Sequence, residues 1–157
     1  MPLDVSSCKP LFELSYFSPI LKIKNNKCNS ESLSSIYLNI YTRLKSIEIG
    51  NKNMQYIKSF YLNGLTQLES VKIGGNSFTM NRKGFGNDIS KSFHIVNCGK
   101  LELIEIGQYS FSDFAGQFEL RNLLSLKSIR IGIVGDESYN FYYSDMIIES
   151  MIIYYSL

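Results

Sequence analysis

The sequence predicts a β-rich solenoid: about six coils of short, stacked parallel strands with few or no long helices. Three observations lead there. A seven-residue string ending in Ile-Gly occurs four times. An apolar lead-in at a constant offset precedes three of those copies. Alanine, the best helix former, occurs only at Ala115, whereas β-branched and aromatic residues are abundant. An AT-rich coding sequence would produce the same composition, so the repeat decides.

The 157 residues form one domain's worth of chain, read as a single solenoid over 1–157. With 45% apolar and 19% charged residues the chain is neither collagen-like, coiled-coil nor disordered. A net charge of +2 is too near neutral for a nucleic-acid platform. No apolar run approaches the ~18 residues that span a bilayer.

The repeated string is Leu44-Lys45-Ser46-Ile47-Glu48-Ile49-Gly50, followed by copies at 68–74, 101–107 and 126–132. Phe60-x-Leu62-x-x-Leu65-x-x-Leu68 leads into the second copy, and Phe93 and Phe118 open the matching lead-ins of the next two. The unit is therefore F-x-L-x-x-L-x-x-L-x-x-I-x-I-G. At the amino end Phe12, Leu14, Phe17, Ile20 and Ile23 fill five apolar slots, with Asn25 in the sixth. Ile36, Leu38, Tyr41, Leu44, Ile47 and Ile49 fill all six. At the carboxyl end Phe141, Tyr143, Met146, Ile152 and Tyr154 fit, with Glu149 in a core slot. Repeats thus start near 12, 36, 60, 93, 118 and 141.

Units of this length with an L-x-x-I-x-I core have leucine-rich-repeat geometry. The I-x-I portion alternates at period two, which gives a short strand with isoleucines inward. Gly50, Gly74, Gly107 and Gly132 are expected to turn the chain off that strand at positive φ. Stacking would align Phe12, Phe60, Phe93, Phe118 and Phe141 as a spine. Two residues beyond the glycine stand Lys52, Asn76, Tyr109 and Val134, so the usual asparagine ladder is not expected there.

The stretch Asn97-Cys98-Gly99-Lys100-Leu101-Glu102-Leu103-Ile104-Glu105-Ile106-Gly107, followed by Ser110-Phe111, resembles the BspA-like leucine-rich repeat. Ser77-Phe78 and Ser138-Tyr139 echo the family's S/A-F pair, and Asn53-Met54 does so faintly. Only Cys98 matches its cysteine slot; Leu65 and Leu123 stand there elsewhere. The resemblance covers about residues 12–154 and implies a solenoid. It also implies, as one alternative, a surface or secreted adhesion module.

The residue between the two isoleucines faces outward, and down the stack it reads Lys24, Glu48, Lys72, Glu105, Arg130. The signs alternate. One reading is a zwitterionic face for a partner protein. The plainer reading is a cross-strand ladder that sets register, since neighbouring strands lie ~4.8 Å apart. The interval after Phe60 is about nine residues longer than its neighbours, with the excess in Thr79–Ser92. That insertion is either a tolerated loop or a partner-contacting hook with Arg82, Lys83 and Phe85 at its tip.

The carboxyl end crowds Tyr139, Tyr142, Tyr143, Tyr154 and Tyr155 around Phe141. It would serve as a docking patch, as the core of a capping coil, or as an open end prone to self-association. His94 aligns with Tyr61 and Glu119, an arrangement commoner on inert surfaces than in acid–base catalysis.

Cys8, Cys28 and Cys98 form no CxxC pair, and His94 is the sole histidine. Neither a zinc site nor a disulfide framework is expected, and free thiols in a reducing compartment follow. The amino terminus shows no signal peptide, which points to the cytoplasm. No catalytic, cofactor or metal set is visible. The expected function is a non-catalytic protein–protein interaction module, with a protein partner and neither nucleic acid nor a membrane span.

Overall fold

Leu21, Ile47, Val71 and Ile104 form one buried column, and Ile23, Ile49, Ile73 and Ile106 form a second beside it. These columns are what the I-x-I repeat builds. The computed structural model describes residues 8–80 and 87–150. Among them one helix, α1 (Lys9–Phe12), precedes nine short strands. Strands β1 (Ile20–Ile23), β2 (Ser46–Ile49), β4 (Ser70–Ile73), β6 (Leu103–Ile106) and β8 (Ser128–Ile131) pair in parallel as one sheet. Strands β3 (Ser59–Asn63), β5 (Ser92–Val96), β7 (Gln117–Arg121) and β9 (Asp145–Glu149) form a second parallel sheet. The chain is a β-solenoid of about five turns with almost no helix.

Each F-x-L lead-in is a strand of the second sheet. Phe60 pairs with Phe93 and Phe93 with Phe118, and their rings stack at 5.0 and 5.1 Å. A second column, Phe78, Phe111 and Phe141, stacks at 4.6 and 5.0 Å. The columns meet edge to face, an arrangement that suits the ring quadrupoles.

Two expected phases need correction at the ends. The register sets Lys22 opposite Glu48, so Leu21 and Ile23 take the core slots and the first copy sits two residues earlier. Phe12 lies in α1, outside any strand. At the other end Met146 pairs with Phe118, and Phe141 belongs to the second aromatic column. The last copy therefore starts five residues later, and Asn140-Phe141 takes the place expected of Ser138-Tyr139. In both cases turn length outside the strands sets the phase, and degenerate spacing does not reveal it.

The glycine expectation is also corrected. Of the four, only Gly132 has positive φ. A Cβ on Gly74 would stand 2.6 Å from the Asn51 amide nitrogen of the preceding turn. Close approach between coils excludes a side chain there. The left-handed residues come two positions later, at Lys52, Asn76 and Tyr109.

Cys8, at the start of α1, and Cys28, after β1, are joined in a disulfide, which corrects the expectation of free thiols. Coil closure brings together residues separated by 20 positions. Cys98 is free and buried, and burial raises its thiol pKa.

Candidate functional site

Alternation along β2, β4, β6 and β8 turns Glu48, Lys72, Glu105 and Arg130 away from the core, as the sequence predicts. The fifth member is Lys22. Lys24 lies past the end of β1, so its expected place in the ladder is corrected. Lys22 Nζ stands 2.7 Å from Glu48 Oε2, and Arg130 Nη1 2.8 Å from Glu105 Oε1. Lys72 Nζ approaches Glu105 Oε2 at 3.8 Å. The hydrogen-bonded Lys22 ammonium holds Glu48 below its usual carboxylate pKa, with a smaller pull from Lys72.

An open groove of about 920 Å³ runs along this face. The ladder residues line it, and Gly50, Gly74, Gly107 and Gly132 form one flank. Lys24 and Lys27 line its amino-terminal end. Among the described residues these two lysines have no ion-pair partner. The groove is thus self-neutralising along its length, with surplus positive charge at one end.

Arg82, Lys83 and Phe85, the expected hook, lie outside the described residues, as do Tyr154 and Tyr155. Between Lys91, near the end of the insertion, and Asp113 the structure places a pair that the sequence does not announce. Lys91 Nζ donates to Asp113 Oδ2 at 2.6 Å, both residues being buried, and the ammonium lies 5.8 Å from the centroid of the Phe114 ring. No local motif announces it, because 22 positions separate the partners.

His94, Tyr61 and Glu119 do share a row of the second sheet. His94 Nδ1 and Glu119 Oε2 are 2.8 Å apart, and the Tyr61 ring meets the imidazole edge-on. Glu119 also pairs with Arg121, which continues to Glu149. The acid is committed to a chain of neighbours, a structural network along the sheet.

Two polar ladders tie the turns together and were not foreseen. Ser77 Oγ donates to Gly50 O, Ser110 Oγ to Gly74 O, and Asn140 Nδ2 to Gly107 O. With Asn53 Nδ2 donating to Lys24 O as its first rung, this ladder holds two asparagines and two serines, and Asn53, Ser77 and Ser110 each sit one residue beyond the expected asparagine position. On the other side Asn122 donates to Asn97, and Asn97 to Asn63. The repeated Ser-Phe pairs were the available signal for the first, and for the second Asn63 at the end of β3 with Asn97 and Asn122 one residue past β5 and β7.

Among the described residues no group of three or more metal-ligating side chains converges, and no helix is long and apolar enough to cross a membrane. No protein-family model, curated protein or solved structure matches the chain.

Proposed function

We propose that the chain is a non-catalytic protein-binding module that uses the groove along the charge ladder. The observation that carries this reading is the groove itself: it crosses all five strands of one sheet and ends at two unpaired lysines. Charges already paired across strands attract a single-signed ligand weakly. They do fit a protein segment whose own charges are mixed, and Lys24 and Lys27 would orient its acidic end.

The chain is further read as a BspA-like leucine-rich repeat. Support comes from Cys98 in the cysteine slot and from the Ser-Phe pairs, whose phenylalanines fill the second aromatic column. A surface or secreted adhesion module is the second reading, and the Cys8–Cys28 disulfide favours it over the cytoplasm, where such bonds rarely persist.

The test is a binding comparison against source-organism extracellular and cytosolic fractions. Three folded baits are used: wild type, the chain with Glu48, Lys72, Glu105 and Arg130 changed to serine, and one with residues 81–86 replaced by a Gly-Ser linker. A partner lost only with the ladder variant supports the groove. A partner lost only with the linker variant moves the site to the insertion and sinks the groove reading.

A further inference from the structure

The charge ladder gives the groove a length scale. Neighbouring strands of a sheet lie ~4.8 Å apart, so the cations Lys22, Lys72 and Arg130, which stand on alternate strands, recur every ~9.6 Å. Two observations make these cations, and not the acids between them, the groups that meet a ligand.

The first is reach. In every ion pair of the ladder the cation stands further into water than its acid. Lys22 is 67% exposed against 39% for Glu48, and Lys72 and Arg130 are 50% and 71% exposed against 31% for Glu105. Donors are also left over, because an ammonium carries three N–H groups and a guanidinium five. The second observation is the sum. Lys24 and Lys27 join the ladder along the groove, which makes five cations against two acids. The lining thus carries +3 in a chain whose net charge is +2.

A ligand lying along the stack must return an acid to one face every ~9.6 Å. A β-strand shows alternate residues on one face, ~6.6 Å apart, so its second acid would fall nearer Glu48 than Lys72. An α-helix returns to one face after seven residues, or ~10.5 Å, and is out of step by ~2 Å at Arg130. A polyproline II helix turns once in three residues, or ~9.3 Å, and stays within ~1 Å of the ladder over its length.

We propose that the groove takes a polyproline II segment of a partner protein with an acidic residue at every third position, in register with Lys22, Lys72 and Arg130. This inference rests on the groove reading and specifies its mixed-charge segment: the acids keep the register, and the fewer bases fall between them, where long side chains reach Glu48 and Glu105. Gly50, Gly74, Gly107 and Gly132 leave one flank without side chains, a bed for the segment's rings. Such a helix is ordered before it binds, so little entropy is lost on docking.

The chain itself does not supply this segment. Outside the described residues, positions 1–7, 81–86 and 151–157 hold one acid, Asp4. A second copy that met this face with its own would bring two positive surfaces together.

The probe is a dye-labelled peptide, Glu-Pro-Pro-Glu-Pro-Lys written twice, added to the full chain and followed by fluorescence anisotropy. Its control, Glu-Pro-Glu-Pro-Pro-Lys written twice, has the same composition and charge but breaks the three-residue register. Saturable binding is expected, about tenfold weaker for the control. Lys72→Gln in the protein should remove most of that difference. The peptide comparison uses wild-type protein only, so it decides even where the variant misfolds. Equal binding of the two peptides that is lost with the four-serine ladder variant overturns the register and leaves the groove reading standing. Equal binding that the ladder variant retains overturns both. Absence of saturable binding overturns this proposal alone, because the partner comparison tests the groove independently. A wild-type dimer in sedimentation that the peptide dissociates also overturns it, by naming a second copy as the occupant.

Discussion

Phe93 and Phe111 meet edge to face with ring centroids 5.0 Å apart, and at that contact the two aromatic columns of the solenoid lock together. Phe93 also stacks on Phe60 below and Phe118 above. In a stacked array each coil touches only its neighbours, so one ring supports two junctions. Phe93→Ala is expected to cost ~3–5 kcal/mol. A denaturant midpoint that does not move would contradict the stacking register.

Lys91 and Asp113 carry opposite charges out of water together, and each is costly alone. Asp113→Ala should destabilise by about 3–5 kcal/mol, because the ammonium is left buried. Changing Lys91 to Met and Asp113 to Leu together should recover most of that loss. Denaturant titration of the four-member cycle checks this: equal destabilisation by the single and double variants would show that the pair is not coupled.

The disulfide closes a 20-residue separation around the first coil. Reduction should lower stability by about 3 kcal/mol, mostly through greater freedom of the unfolded chain. Thiol labelling of the native, unreduced protein should find no reactive cysteine, since Cys98 is buried. Identical melting curves with and without reductant would argue that Cys8 and Cys28 are not joined in solution.

Glu48 ties stability to pH. Its carboxyl titrates lower in the folded chain than in the unfolded one, so its contribution is present above the ordinary carboxylate range near ~4.3. That contribution disappears as pH falls through the lowered folded-state value. The carboxylate is more than one-third exposed, so solvent screening limits the gain to under ~1 kcal/mol. Glu48→Gln should therefore be less stable than wild type at pH 7 in low salt. The gap should narrow as pH falls through the lowered folded-state value, and in 1 M salt; a gap indifferent to both assigns the effect to packing.

Two glycines separate crowding from backbone strain. Gly74→Ala should cost ~1–3 kcal/mol, because the methyl runs into the Asn51 backbone. Gly64 has φ +70 with open space around it, and Asn97 and Asn122 hold the equivalent left-handed positions. Gly64→Asn should stay within ~1 kcal/mol of wild type. Thermal melts that rank Gly64→Asn below Gly74→Ala would reverse the assignment.

The ladder face was largely legible because its residues repeat. Glu48, Lys72, Glu105 and Arg130 each follow an inward aliphatic residue by one position, and period-two alternation points all four the same way. Lys24 was misplaced because the first copy lacks the Gly that marks the strand end, so nothing local set its phase. Lys91–Asp113 left no trace, since neither residue belongs to the repeated unit.

The sequence by itself determined the parallel stack, the I-x-I strands of one sheet and the inward columns of Phe, Leu and Ile. Those features depend on short spacings that recur, and each coil need only match its neighbour. Only the tertiary structure decided the phase of the two end coils, the Cys8–Cys28 bond and the buried Lys91–Asp113 pair. Each of these depends on where a turn of irregular length returns the chain in space, and path closure in three dimensions is not encoded in the spacing of any one repeat.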